Sequence, residues 1–252
     1  MTTQPLIEFK NVTKRFGAQT VLDGINLSIF KGETLAIIGK SGTGKSVLLK
    51  HIIGLLSPDS GQIFINGQDM QQMDKKNIIQ FQKELSYMFQ DNALFDFLTI
   101  YENIALPLKE NRHFPKDQIY DKVLHRMDQL GLMGNETKFP SQLSGGMRKR
   151  VALARALVTD PHIVLFDEPT TGLDPVRKKN VYGMIKECQE KLGFTSVIVS
   201  HDIPQIFYIS QRIAMLDDGV IRFSGPRGDI LHSHNQILNA FISGQEESFS
   251  RL

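Results

Sequence analysis

The sequence predicts an α/β fold with three parts: an antiparallel β segment, a phosphate-loop core and an inserted α-helical lobe. Three observations carry this. Apolar residues alternate over the first thirty positions, an apolar strand then runs into a glycine-rich loop and a helix, and a largely helical stretch precedes two further apolar strands.

Ile7 and Phe9, then Ile25, Leu27 and Ile29, recur with period two, which places alternate side chains on one face of a strand. The turn-forming Lys31-Gly32-Glu33 precedes Thr34-Leu35-Ala36-Ile37-Ile38, so antiparallel strands leading into a buried strand are expected. After the glycine-rich loop, Leu48, Ile52 and Leu55 recur at helical spacing, and Ser57-Pro58-Asp59-Ser60-Gly61 is expected to stop that helix. From about Gln90 to Leu157 helical patterns dominate, with Ile119, Val123, Met127 and Leu130 forming one apolar stripe before Gly131. Strand-like Ile163–Phe166 and Thr195–Ser200 flank a helical stretch near Arg177–Lys191, the pattern of a mainly parallel sheet covered by helices. Residues 5–245 are therefore expected to form one nucleotide-binding domain with a helical lobe at about 91–157. A last helix leads into a polar tail at 246–252.

The bulk numbers narrow the functions. A chain of 252 residues can bury a sizeable core, and 29 basic against 27 acidic side chains leave no excess of charge to hold nucleic acid. The single cysteine, Cys188, cannot form an internal disulfide, which fits a reducing compartment. Met1-Thr2-Thr3-Gln4-Pro5 lacks the basic start and apolar stretch of a secretory signal, and no apolar run approaches the roughly 18 residues of a spanning helix. A membrane role is expected to come through a partner.

Gly39-Lys40-Ser41-Gly42-Thr43-Gly44-Lys45-Ser46 matches GxxxxGK[ST], in which glycines let backbone N–H groups close around phosphates at a helix N-terminus. Lys45 is expected to hold the β- and γ-phosphates and Ser46 to ligate Mg²⁺. Ile163-Val164-Leu165-Phe166-Asp167-Glu168 supplies a second element: a buried strand that presents Asp167 to the metal and Glu168 to the attacking water, as general base. In Leu143-Ser144-Gly145-Gly146-Met147, Ser144 and two glycines precede a helical stretch with Met147, Val151, Ala154 and Leu157 on one face, a second helix N-terminus suited to an anion. The basic run Arg148-Lys149-Arg150 is expected to be a solvated face of that helix.

Taken together, these three motifs resemble those of the ABC transporter ATPases, whose signature is LSGGQ, and the resemblance runs from about Ile7 to Gly225. It implies a P-loop ABC ATPase core with an antiparallel β subdomain and an inserted α-helical subdomain. Gln90 then fits the glutamine that senses metal and lytic water, His201 the switch histidine near the γ-phosphate, and Phe16 the aromatic that stacks on adenine. Gly172-Leu173-Asp174-Pro175 fits the D-loop, and the nucleotide contacts implied by the family take in Val47 and Asp174. Met147 departs from the glutamine of many members and removes a polar contact to the opposite nucleotide. The family further implies a homodimer with two composite ATP sites, Ser144, Gly145 and Gly146 of one subunit closing on the phosphates held by Lys45 of the other, with ATP and Mg²⁺ as ligands and no nucleic acid.

A narrower resemblance lies in Gly44–Leu55, in Asn92-Ala93-Leu94-Phe95 with Tyr101–Leu108, and in Met147, which are similar to the ATPases of bacterial MCE-associated, Mla-type phospholipid transporters. That resemblance implies an integral membrane permease, an MCE-type lipid-binding protein and a small regulatory subunit as partners, and a peripheral place on the cytoplasmic face of the inner membrane. Three other readings stay open. An ATPase of an amino-acid or other small-solute importer shares every catalytic residue. A soluble ABC ATPase acting on nucleic acid normally carries coiled-coil or zinc-binding insertions, against one cysteine and no heptad run here. A GTP switch needs a guanine-reading NKxD-like segment, which the sequence lacks.

Overall fold

A computed structural model describes residues 4–110, 114–203 and 205–230, together with Leu238 and Phe241. Apart from those two residues, the helix and tail expected at the C-terminus lie outside the described residues. From the N-terminus the elements are β1 (Ile7–Phe16), β2 (Gln19–Ile29), β3 (Thr34–Ile38), α1 (Lys45–Ile53), β4 (Ser60–Ile65), β5 (Gln68–Asp69) and α2 (Lys75–Lys83). Next come β6 (Leu85–Met88), α3 (Ile100–Glu110), α4 (Lys116–Gln129), α5 (Gly145–Leu157), β7 (Ile163–Asp167) and α6 (Pro175–Leu192). The remaining strands are β8 (Thr195–Ser200), β9 (Arg212–Asp217) and β10 (Val220–Pro226). Two compact units divide these elements: one holds the described residues up to Lys83 and from Phe194 onward, the other Glu84–Gly193.

In the first unit, β2, β1, β4 and β5 form an antiparallel sheet in that order. Its inward positions are the period-two set read from the sequence, since Ile7, Phe9, Ile25, Leu27 and Ile29 are all buried. A second sheet pairs β3 in parallel with both β8 and β9, and β9 with β10 in antiparallel fashion. Every residue of β3 and β8 is buried, and their central residues, Leu35–Ile38 and Val197–Val199, are apolar without alternation, as a sheet covered on both faces demands. Each fully buried aliphatic side chain here contributes about 1.5–3 kcal/mol. Helix α1 stops earlier than the sequence suggests: Gly54, with φ 80°, caps it and Leu55 is 64% exposed. A left-handed glycine ends the helix before the Ser57-Pro58 signal is reached, because only glycine takes that conformation without a Cβ penalty.

The second unit pairs β6 in parallel with β7. Among the described residues between 91 and 157 its regular elements are α3, α4, α5 and one short 3-10 segment. This helical stretch shares its unit with β6, β7 and α6 rather than standing alone, because α5 packs on β6 and α6 as well as on α3 and α4. The stripe Ile119, Val123, Met127 and Leu130 is buried, and α4 is pinned to the end of α5 by Arg126, whose Nη2 donates to Leu157 O at 2.9 Å and to Asp160 Oδ1 at 2.7 Å. Among the described residues no helix is long and apolar enough to cross a membrane.

One close approach decides the shape of the antiparallel sheet. Pairing of β1 with β4 shifts register between Lys10 and Thr13, and there Gly61, with φ 81°, leaves no room: a Cβ would stand 2.2 Å from Asn11 O. Gly61→Ala is therefore expected to lower unfolding free energy by at least about 2 kcal/mol, strain and backbone collision acting together. Urea denaturation measures it, with Gly17→Ala, whose Cβ meets nothing within 4 Å, as the milder comparison.

Candidate functional site

The phosphate-loop sequence joins β3 to α1. Gly42 and Gly44 have φ 78° and 99°, and a Cβ on Gly39 would stand 2.2 Å from Leu216 O, so glycine is required at each of these points for a different reason. Helix α1 begins with no side-chain cap on its first turn, which leaves that turn's N–H groups directed at whatever the loop encloses. Lys45 is buried and donates from Nζ to Gly39 O and Lys40 O, both at 2.8 Å, so the ammonium is held inside the curve of the loop. Thr43 Oγ1 donates to Lys40 O at 2.9 Å and closes the turn. Lys40, Ser41 and Gly42 are exposed, while Ser46 and Val47 are half-buried.

Parallel register brings His201 to this end of the first unit. Ile38 pairs with Ser200, so Gly39 and His201 each leave the sheet one residue beyond the same rung. The side chain of His201 is partly exposed, with Nε2 4.0 Å from the buried Asp202 carboxylate. Phe16 lies at the end of β1 with 46% of its surface exposed, and Lys14 Nζ stands 5.6 Å from its ring.

The same geometry recurs in the second unit. Met88 pairs with Phe166, so Gln90 and the Asp167-Glu168 pair emerge from adjacent strand ends. Asp167 and Glu168 are buried, and Gln90 is exposed. Asp167 Oδ2 accepts a hydrogen bond from Tyr87 Oη at 2.6 Å. Burial, and then the hydrogen bond to Asp167, hold the Tyr87 hydroxyl far above its ordinary pKa, so the proton stays on tyrosine and the carboxylate stays the acceptor. Glu168 has φ 50°, a left-handed backbone that costs a non-glycine residue on the order of 1–3 kcal/mol. Thr171 steadies it, donating from N to Glu168 O at 3.2 Å and from Oγ1 to Oε2 at 3.4 Å.

Ser144 is the N-cap of α5, its Oγ accepting from Met147 N at 3.3 Å, and Gly145 and Gly146 open the helix behind it. Asp174 caps α6 in the same way, accepting from Arg177 N at 3.0 Å, a bond that lowers its pKa. The basic run on α5 is not a solvated face. Lys149 is 4% exposed and donates to Gln90 O at 2.6 Å, Arg148 donates to Leu143 O and Arg150 to Leu130 O. Three carbonyl groups at turns lie within reach of these side chains, and a hydrogen bond to a cation is stronger than one to water can replace in a buried setting.

Three residues given no role in the sequence reading, Tyr87, Asn103 and Arg155, and one expected to be solvated, Lys149, shape these loops. Asn103 is wholly buried on α3, accepts from Phe95 N at 2.9 Å and donates to Phe95 O, Leu98 O and Thr99 O at 3.0, 3.1 and 3.0 Å. That amide fixes a turn on which Phe97 is 76% exposed, Phe95 is exposed beside it at a ring separation of 5.6 Å, and Leu94 and Leu98 are half-buried. Residue type alone gives no sign of such partners, which lie across turns or far along the chain.

Among the described residues no three His, Cys, Asp or Glu side chains gather into a metal cluster. Ser46 in the first unit, and Gln90 and Asp167 in the second, each carry an oxygen donor of the hard kind that Mg²⁺ takes.

Residues 22–171 match the family model described as ABC transporter, and residues 137–207 also match an AAA domain model. The chain belongs to the ABC transporter family and is an ATP-hydrolysing enzyme, the ATP-binding subunit of such a transporter. It is 37% identical over 97% of its length, and 92% of the relative's, to the intermembrane phospholipid transport system ATP-binding protein MlaF of Haemophilus influenzae. It is 39% identical to the probable ribonucleotide transport ATP-binding protein mkl of Mycobacterium tuberculosis (95% of this chain, 67% of that one), and 36% to the methionine import ATP-binding protein MetN of Brucella abortus (89% and 61%). Among solved structures it superposes on cbiO1 of Clostridium perfringens with a TM-score of 0.83 at 28% identity, covering 94% of both chains. It superposes on the ATP-binding cassette MJ0796, a dimer bound to ADP and Pi, with a TM-score of 0.78 at 32% identity, covering 88% and 98%.

Tyr87→Phe removes only the hydroxyl that donates to Asp167. Loss of a hydrogen bond to a buried charged group is expected to cost about 1.5–3 kcal/mol, measured as a fall in the urea midpoint at constant slope.

Proposed function

We propose that this chain powers a phospholipid transporter, working as a homodimer on the cytoplasmic face of the inner membrane beneath a membrane permease. The observation that carries the catalytic part is the pair of strand registers, Ile38 with Ser200 and Met88 with Phe166, which supports grouping Gly39–Ser46 with His201 and Gln90 with Asp167 and Glu168. Lys45, Ser46, Val47 and the backbone of Gly39–Gly44 bind the phosphates of ATP, and Phe16 stacks on adenine. Ser46, Asp167 and Gln90 would hold Mg²⁺, which would supply positive charge against that of the phosphates. Glu168 takes the proton of the attacking water as general base, and His201 steadies the γ-phosphate.

Ser144, Gly145 and Gly146 of each subunit close on the γ-phosphate in the other, with Asp174 beside the shared site. Dimeric solved relatives support this arrangement. An intact triphosphate favours the closed interface and hydrolysis releases it, a two-state change passed to the permease. The turn carrying Leu94, Phe95, Phe97 and Leu98 receives the permease, an apolar patch displayed on a turn fastened by Asn103. The MlaF relative supports phospholipid as cargo and an MCE-type lipid-binding protein with a small regulatory subunit as further partners; the ribonucleotide and methionine relatives make those cargoes the comparison.

Glu168→Gln is expected to bind MgATP, to lose at least about a hundredfold in turnover, and to accumulate as an ATP-bound dimer by light scattering. Near-normal turnover overturns the assignment of the base. With the permease reconstituted in membranes, Phe97→Asp is expected to keep nucleotide binding and to lose complex assembly and phospholipid transfer. Unchanged assembly and transfer after charged substitution at all four positions removes this turn from coupling, and transfer of methionine or ribonucleotide in place of lipid removes the cargo.

A further inference from the structure

The turn that follows β6 is bent more sharply than its residues favour. Asn92 and Ala93 have φ 62° and 46°, two successive non-glycine residues in the left-handed region, and alanine has no side-chain hydrogen bond to offset the cost. Helix α5 holds it there. Lys149 Nζ donates to Gln90 O at 2.6 Å, Arg155 Nη2 to Asn92 O at 2.6 Å and Arg155 Nη1 to Ala93 O at 2.8 Å. These three bonds span 59 to 63 residues of sequence and occupy three of the four carbonyl groups of the turn. Both cations are desolvated. Burial lowers the pKa of Lys149, opposed by the nearby Asp91 and Glu168 carboxylates, and burial lowers that of Arg155. A helix that needed only solubility or apolar packing would not bury Lys149 and half-bury Arg155 to reach backbone atoms.

We infer that Lys149 and Arg155 are positioning residues for the Gln90 turn, locking it to the helix that begins at Ser144 so that the proposed metal-sensing glutamine and the signature move as one body. The inference rests on the proposed role of Gln90. Its physical part stands on the unit Glu84–Gly193 alone, in which the turn is strained and clasped, and from which loss of the clasp would let it relax. Clasping presents the Gln90 side chain; release withdraws it while the phosphate loop keeps its nucleotide. A change at either end of α5 is thereby felt at the glutamine through three hydrogen bonds and without a chain of packed side chains.

The test compares Lys149→Met, Arg155→Lys and Arg155→Met in the full chain. Amide hydrogen exchange over residues 89–98 is expected to quicken about tenfold in both methionine variants, as loss of hydrogen bonds to charged groups implies, and less in Arg155→Lys, while α4 and α6 keep their protection. Nucleotide affinity stays within about twofold, turnover falls about tenfold or more, and the Mg²⁺ concentration giving half-maximal turnover rises. Where Arg155→Met does not accumulate folded chain, Ala93→Val strains the same turn from the other side, since a β-branched residue is poorly suited to φ 46°, and predicts the same pattern. Unchanged exchange over 89–98, or exchange that quickens equally across Glu84–Gly193 with a fall in Tm, overturns the clasp. Quickened exchange with unchanged turnover and Mg²⁺ dependence overturns its link to Gln90, and leaves the assignment of the base to stand or fall on Glu168→Gln.

Discussion

In a parallel pair of strands both chains leave the sheet at the same edge, so the loops that follow emerge together however far apart they lie in sequence. Two of the candidate clusters depend on that constraint. Ile38 faces Ser200 and Met88 faces Phe166 across the rungs of two such pairs; Gly39, His201 and Asp167 come next, and Gln90 and Glu168 follow within two residues. Register is held by burial. All of β3, β7 and β8 is buried, and slipping any of them by one residue would exchange the side chains on its two faces. Apolar packing in the strand interiors is thus the reason polar groups at the strand ends stand where they do.

The loops at those ends carry strain that the strands do not. Glu168, Asn92 and Ala93 all have positive φ, and each is held by a hydrogen bond to its carbonyl from elsewhere in the same unit. Strained backbone persists only where the surroundings over-determine it, and here the surroundings are a threonine three residues on and an arginine in the last turn of α5. Charge assistance makes the arginine's bonds strong enough for the task. Helix α5 therefore has two functions at once: its apolar face, with Val151, Ala154 and Leu157, fills the core, and its cations reach carbonyl groups of neighbouring turns.

The turn at 94–98 shows how the same unit divides apolar side chains between core and surface. Asn103, buried on α3, satisfies four backbone groups of residues 95–99 and so fixes a short irregular segment without any secondary structure of its own. With the backbone committed inward, Phe97 and Phe95 are left facing outward. Water gains nothing from such a patch, which is why a binding partner is the natural cover for it.

The sequence by itself determined the parts whose physics is local. Period-two alternation identified β1 and β2, an unbroken apolar run identified β3 and β7, helical spacing identified α4 and α6, and the glycines of residues 39–44 identified a loop that no larger residue could form. The chemical motifs were legible for the same reason, since each is a short run whose residue types and order are themselves the requirement. What the tertiary structure decided is non-local. Gly54 ended α1 before the proline signal because capping depends on one φ angle, and Lys149, though it looks like a surface charge in its run, is buried because a carbonyl 59 residues away lies within reach. Tyr87, Asn103 and Arg155 belong to the same group: side chains without a motif whose work is set by which backbone atoms the packed chain brings against them.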